Sequence, residues 1–263
     1  MSVGSYTDGF PFRPRRTVTW FSCGVTSAVA TKRVIEASPY PVTIAYCAST
    51  LNTEHPDNIR FLQDCEAWFG QEVRLLKAKD YADTWDVWRK TRWLVGVGGA
   101  RCTTELKKKV RQAFHDPEGD VQVFGFDASE ERRAVRFREQ NPEVNLWAPL
   151  IEAGVTKAEA LAELRRAGIE VPMMYKLGYK NNNCIGCVKG QAGYWNKIRE
   201  DFPEHFAAMA LLERELNAAI NKTYAGDGRR KRVFLDELPP DAGRYALEPD
   251  IQCGIWCETE EDQ

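Results

Sequence analysis

Eight cysteines occur in 263 residues, and two of them, in Cys184-Ile-Gly-Cys187, have the C-x-x-C spacing that presents two thiolates to one metal ion or cluster. Structural zinc normally takes two further close ligands. The other pair, Cys253-Gly-Ile-Trp-Cys257, is spaced C-x-x-x-C. Cys102 is the better third partner, because it falls in a glycine-bounded loop after Gly96, Gly98 and Gly99 and at the start of a helical pattern, where the helix dipole favours a thiolate. Three thiolates can hold an iron–sulfur cluster with one iron left open; zinc, or no metal, are the other readings. Cys23, Cys47 and Cys65 lie in strand-like or helix-like contexts and read as core residues, and His115 and His205 suggest no ligand role.

A second stretch with chemical character is Ser22-Cys-Gly-Val-Thr-Ser27. It joins a β-branched and aromatic run, Thr17 to Phe21, to a helical pattern marked by Val29, Val34 and Ile35. A strand, a small-residue turn and a helix N-terminus gather unpaired N–H groups and the positive end of the helix dipole, a natural seat for phosphate. Any βα unit also needs small residues at its turn.

The elements that must position these residues alternate. Strands are expected at 17–21, 41–47, 72–76, 120–126 and 145–147, with helices between them at 56–70, carrying Ile59, Leu62 and Trp68 inward, and at 129–140. This predicts an α/β fold with a five-stranded, mainly parallel sheet flanked by helices and ligands gathered at the carboxyl ends of the strands. The loop Asn52-Thr-Glu-His-Pro-Asp57 lies at that end. Thr156 reads as the N-cap of a helix stopped by Gly168, and helices at 191–201, with Trp195 and Ile198 on one face, and 203–220 form a helical C-terminal extension. The expected organisation is an N-terminal arm (1–16), an α/β domain with the candidate phosphate loop (17–152), a helical region with the Cys-x-x-Cys loop (153–222) and a flexible tail (223–263).

A hydrophobic fraction of 43%, a charged fraction of 28% and a net charge of −2 are those of a soluble globular protein and argue against a surface dominated by nucleic-acid backbone. The basic runs Arg13 to Arg16 and Arg229 to Arg232 read as solvated loop charges. There is no membrane-length apolar run and no signal-peptide core, so a cytoplasmic location is expected, and with it metal or redox chemistry for the cysteines before disulfides.

Taken together, five motifs in order over residues 17 to 200 resemble the phosphoadenosine phosphosulfate reductase family of the PP-loop, adenine nucleotide α-hydrolase superfamily. Ser22 to Ser27 resembles its Ser-Gly-Gly-x-x-Ser pyrophosphate loop, with Cys23 at the first glycine. Asn52-Thr53 with Pro56-Asp57-Asn58 is similar to its Asp-Thr-Gly...Pro-Glu-Thr segment, and Cys102 to Lys107 to its Cys-Thr-x-x-Leu-Lys. Gly125 to Arg133 is similar to Gly-x-Arg-x-x-Glu-Ser-x-x-Arg, with Asp127 in place of Arg, and Tyr175 to Cys187 to Tyr-x-x-Gly...Cys-x-x-Cys.

The resemblance implies an adenine nucleotide, ATP or adenylyl sulfate, held with Mg²⁺ by Ser22, Cys23, Gly24, Val25, Thr26, Ser27, Asn52, Thr53 and Gly125. Cys102, Cys184 and Cys187 would hold a [4Fe–4S] cluster, and Lys107 or Lys108 would add positive charge. The single cysteine at Arg101-Cys102, where cluster-bearing reductases have a tandem pair, is similar to PP-loop thiolation enzymes that transfer sulfur to an adenylated substrate, with a nucleic-acid base or nucleotide as acceptor. The alternative is a sulfonucleotide reductase, since Cys253-Gly-Ile255 resembles the reductase tail whose cysteine attacks sulfur; a thioredoxin-like donor would then release sulfite, and the missing Arg at 127 speaks against it. A third reading is a non-catalytic nucleotide- and redox-sensing subunit. Without a P-loop lysine, cleavage beside the α-phosphate is favoured over γ-phosphate transfer. A sulfur donor or reductant is the expected partner, and a homo-oligomer the expected assembly.

Overall fold

The computed structural model describes residues 14–96, 99–224, 230–251 and 253. The elements begin with β1 (Arg16–Trp20), α1 (Val25–Ala37), β2 (Val42–Cys47), α2 (Asn58–Phe69), β3 (Val73–Leu76) and α3 (Thr84–Thr91). Next come β4 (Val95–Gly96), β5 (Gly99–Ala100), α4 (Arg101–Thr103), a π-helical turn at Thr104–Lys108, and α5 (Lys109–Phe114). They are followed by β6 (Asp120–Val123), α6 (Glu131–Gln140), β7 (Asn145–Trp147), α7 (Pro149–Glu152) and α8 (Lys157–Arg166). The remainder holds α9 (Met173–Lys176), α10 (Ala192–Asp201), α11 (Pro203–Leu216) and the antiparallel pair β8 (Asn221–Tyr224) and β9 (Arg230–Val233).

The chain passes back and forth between two units. One comprises Met1–Ala48, Asp57–Leu76 and Gln112–Pro172; the other comprises Ser49–Pro56, Lys77–Arg111 and Met173–Gln263. This division differs from the contiguous one expected. Residues 49–56 and 77–111 leave the α/β region for the cysteine-bearing unit, while α8, expected among the later helices, packs on α1 in the first unit. An ion pair between Arg33 and Glu163 at 2.6 Å joins those two helices.

In the first unit the five strands are all parallel, in the order β3-β2-β1-β6-β7. β1 is central and buried on both faces from Thr17 to Trp20, as its β-branched and aromatic run requires. The strand order reverses between β1 and β6, so the loops leaving their carboxyl ends border the crevice where open parallel sheets receive ligands. The fourth strand is shorter than expected: pairing stops at Val123, and Phe124 to Phe126 turn away. The buried face of α2 is Asn58, Phe61, Cys65 and Phe69, while Ile59 is 56% exposed, which corrects the stripe through Ile59, Leu62 and Trp68. Arg16 is not a solvated loop charge: it lies in β1 and pairs with buried Asp120 at 2.6 Å, while Arg15, exposed before the strand, pairs with Asp116 at 2.5 Å.

The second unit closes around Trp88, Leu106, Tyr194, Trp195, Ile198, Met209 and Leu235. Its glycine-rich stretch is not simply a loop, since Gly96 pairs with Gly99 in the β4–β5 ladder; Gly98 lies outside the described residues. The segment expected to be a flexible tail holds β8, β9, two single 3-10 turns and a set of specific hydrogen bonds as far as Ile251. Helix α11 stops at Asn217 in the left-handed conformation, short of the expected 220.

Buried Glu213 on α11 ties the return of the chain, accepting from the backbone N–H of Ile220 at 2.5 Å and of Leu235 at 2.6 Å. Burial outweighs these bonds and raises its carboxyl to about 7. The native state therefore holds a proton that the unfolded chain has released between about pH 4.5 and 7, so this group's contribution to stability is full below the unfolded value and is lost as pH rises through the folded one. Urea midpoints measured from pH 5 to 8 should fall with pH, by at most about 1.4 kcal/mol per pH unit from this group. Glu213→Gln should flatten that slope; an unchanged slope would refute the assignment.

Candidate functional site

In the first unit, Phe21 ends β1 and the chain turns at Ser22-Cys23-Gly24 into α1. Cys23 is fully buried with φ +53°, a left-handed conformation at the position where the resembled loop has glycine, and its Sγ lies 3.8 Å from the carbonyl oxygen of Asn58. Ser27 Oγ draws the loop together, donating to the Gly24 carbonyl at 2.9 Å and accepting from Ser22 N–H at 3.2 Å. No side chain caps the N-terminus of α1 and its first turn carries no acidic residue, so the N–H groups of Val25 and Thr26 lie at the positive end of a 13-residue helix.

Gly125 lies against this turn. A Cβ built there would stand 2.6 Å from both Cα and N of Ser27 and 2.9 Å from the carbonyl carbon of Thr26. These are backbone atoms that cannot step aside, so only glycine lets the β6 exit pass so close to the first turn of α1. Asp127, in the place of the family's arginine, is buried and caps the following helix: its carboxylate accepts from Ser129 N at 2.8 Å and Ser129 Oγ at 2.6 Å, and Glu130 completes a capping box. The residue that stands for an anion-binding arginine thus acts as a helix cap here.

The second unit brings the motif cysteines together. Cys102 sits in the first turn of α4, and Cys184 and Cys187 on the turn before α10; all three are buried. Gly186 takes φ +70° between them. Tyr194 braces this turn, its hydroxyl accepting from Cys187 N–H at 2.9 Å and donating to the Cys184 carbonyl at 3.1 Å. Thr53, expected beside a nucleotide, lies against this turn: Oγ1 is 3.4 Å from Cys184 Sγ and 2.8 Å from the Thr50 carbonyl, and accepts from Thr84 Oγ1 at 2.7 Å. Its neighbour Asn52 is exposed.

Half-buried Cys253 joins the group. Its sulfur contacts that of Cys187 and lies 3.8 Å from Lys107 Nζ and 3.7 Å from Thr103 Oγ1. Lys107 and Lys108 belong to the π-helical turn, a rare local geometry often found at functional sites. The hydrogen bond from Cys187 first, and then the charges of Lys107 and Lys189, hold Cys253 well below an ordinary thiol. The same bond, together with burial, raises Cys187. Burial pushes Cys102 up to about 12 and Cys184 higher still, with the negative charge of Cys253 acting in the same direction. Burial therefore opposes the dipole-stabilised thiolate expected at Cys102. Lys189, Tyr194 and Glu248 were not marked by any motif; only the position of Lys189, two residues after Cys187, hinted at a role.

The donor set is four thiols, the ligand type of sulfur-ligated metal centres. Among the described residues, no three His, Cys, Asp or Glu side chains form a group that could hold a metal ion.

No protein-family model matches the sequence, and no curated protein matches it. Among solved structures the chain is similar to the crystal structure of phosphoadenylyl-sulfate (PAPS) reductase from Candida auris in its phosphate complex, at 15% identity over 67% of this chain and 82% of that one, with a TM-score of 0.49. Among the described residues no helix is long and apolar enough to cross a membrane.

Proposed function

We propose that the chain is an enzyme that binds an adenine nucleotide at Ser22 to Ser27, carries an iron–sulfur cluster on Cys102, Cys184 and Cys187, and transfers sulfur to a substrate activated by ATP. The observation that carries this reading is the gathering of four thiols in one unit beside Lys107 and Lys189. When bound, such a cluster supplies sulfur-carrying and electron-transferring chemistry. The remaining steps belong to the chain itself.

The uncapped first turn of α1 receives the pyrophosphate, and its N–H groups and dipole stabilise the charge that builds as pyrophosphate leaves. Gly125 keeps that turn in place, and Mg²⁺ neutralises the phosphates. Around the thiols, Thr53 and Tyr194 orient the C-x-x-C turn, Lys107 offsets negative charge, and the apolar surroundings keep water out. The acceptor class is a nucleic-acid base or nucleotide.

One observation favours a second reading. The hydrogen bond from Cys187 and the charge of Lys107, whose Nζ is 3.8 Å away, shift the Cys253 thiol toward the thiolate that a nucleophile needs to attack the sulfur of a sulfonucleotide. Asp127 counts against it, since its carboxylate caps a helix where that reading wants a cation. The two are separated by products from the iron- and sulfide-loaded protein. Pyrophosphate and AMP from ATP, dependent on an acceptor, are expected; sulfite from an adenylyl sulfate with no ATP use would overturn the first reading.

A further inference from the structure

The C-x-x-C spacing invites a pairing of Cys184 with Cys187, and the structure gives each a different partner. Cys184 Sγ lies 3.4 Å from Thr53 Oγ1, whereas the Cys187 thiol donates a hydrogen bond to the sulfur of Cys253. Polar bonds made by the residues before Cys253 prepare this contact. The Ile251 carbonyl accepts from Asn183 Nδ2 at 2.9 Å and from Asn181 Nδ2 at 3.3 Å. The Glu248 carboxylate accepts from Gly193 N at 2.5 Å and Tyr194 N at 2.9 Å, while its carbonyl accepts from Lys180 Nζ. The Tyr245 hydroxyl accepts from Lys180 N–H at 2.8 Å. All these donors lie within 180–194, so the approach to Cys253 is fastened to the segment that carries Cys187. Thr103 Oγ1 at 3.7 Å and Lys107 Nζ at 3.8 Å flank the Cys253 sulfur. Among the described cysteines only Cys253 is not buried.

We infer that Cys187 and Cys253 are a redox-active dithiol, which closes reversibly to an intramolecular disulfide by exchange with a low-molecular-weight disulfide. The inference goes beyond the proposed sulfur transfer and does not rest on a bound cluster, since it uses the thiols in the contact the chain itself gives them. The exchange takes two steps. Cys253, the accessible sulfur, attacks the small disulfide in its thiolate form, which the charge of Lys107 favours; a mixed disulfide forms on Cys253 and one small thiolate leaves. Cys187, already against the Cys253 sulfur, attacks it next, and the second small thiolate leaves carrying the Cys187 proton. Two protein thiols are oxidised and one small disulfide is reduced to two thiols. Holding the two sulfurs together raises the effective concentration of one for the other, so the second step is favoured over attack by an outside thiol. A closed pair leaves Cys187 unable to ligate and Cys253 unable to attack, so the bond switches off both kinds of chemistry at these thiols.

The test is titration of the full chain with mixtures of reduced and oxidised glutathione, with an iron chelator present so that no metal masks a thiol. Free thiols are then alkylated, and the linked peptides are identified by mass spectrometry without reduction. The expected product is a single chain whose linked peptides carry Cys187 and Cys253, reopened by dithiothreitol. Cys184→Ser should keep that link, and Cys187→Ser should accumulate the mixed glutathione disulfide on Cys253. Asn183→Ala combined with Glu248→Ala keeps every cysteine and should need roughly tenfold more oxidised glutathione to close the pair. Links through Cys184 and Cys187, through Cys253 and Cys257, or between two chains would overturn the inference, as would Cys187 and Cys253 both remaining free in oxidised glutathione alone. The map of the wild-type chain decides the pairing by itself if a variant fails to fold.

Discussion

Trp195→Ala is expected to destabilise the protein by about 3–5 kcal/mol, the range for deleting a fully buried large aromatic side chain. Trp195 has no exposed surface, and its ring stands at 5.8 Å from Tyr194 and 6.3 Å from Phe206, so neighbours on its own helix and on α11 would border the hole. It also supports the thiols. A Cβ added at Gly186 would come within 3.0 Å of the tip of this indole, so the ring forms the floor under the C-x-x-C turn. The loss should therefore appear twice, in the urea midpoint and in faster iron release from the reconstituted protein. Trp195→Phe should be much milder, since the indole N–H makes no hydrogen bond in the structure and removing it leaves no partner behind. A Trp195→Ala midpoint within about 1 kcal/mol of wild type would show that the pocket collapses to fill the space, and the floor assignment would fall.

Gly125→Ala should cost about 1–3 kcal/mol, the range for overpacking, and should do so through the backbone of Thr26 and Ser27. Two contacts at 2.6 Å cannot both relax while the β6 exit and the first turn of α1 keep their positions. The turn must shift, and with it the N–H groups proposed to hold pyrophosphate. Titration calorimetry with a non-hydrolysable ATP analogue should show affinity weakened by about tenfold or more, equivalent to about 1.4 kcal/mol. Destabilisation with unchanged nucleotide affinity would place the pyrophosphate elsewhere.

The sheet was legible because each strand carries its own signal. Val42 to Cys47 and Asp120 to Val123 are short β-rich runs bounded by turn residues, and the helices between them force parallel pairing. The face of α2 was not legible, since two apolar stripes at helical spacing compete there and only packing against Phe21, stacked on Phe61 at 6.1 Å, selects one. The three motif cysteines were found by spacing, and Thr103 and Lys107 stand inside a recognised motif. The anchoring of residues 245–251 on the segment 180–194 was missed for a physical reason. Its anchors are single polar residues such as Glu248 and Asn183 whose partners are backbone groups more than fifty residues away, a kind of bonding that leaves no periodicity. The same holds for Thr53, whose partner Cys184 is 131 residues distant.

The alternation of the two units along the chain sets an order of events during synthesis. The first unit has its last segment, 112–172, in hand while the C-x-x-C turn is still untranslated, so the sheet with its Ser22 to Ser27 turn can form early. The thiol pocket depends on Cys102, on the 184–187 turn and on Cys253, and its final member emerges from the ribosome more than sixty residues after Cys187. Any group held by these thiols together would therefore be loaded only after residue 253 has been made, when every segment of the first unit is already available to fold.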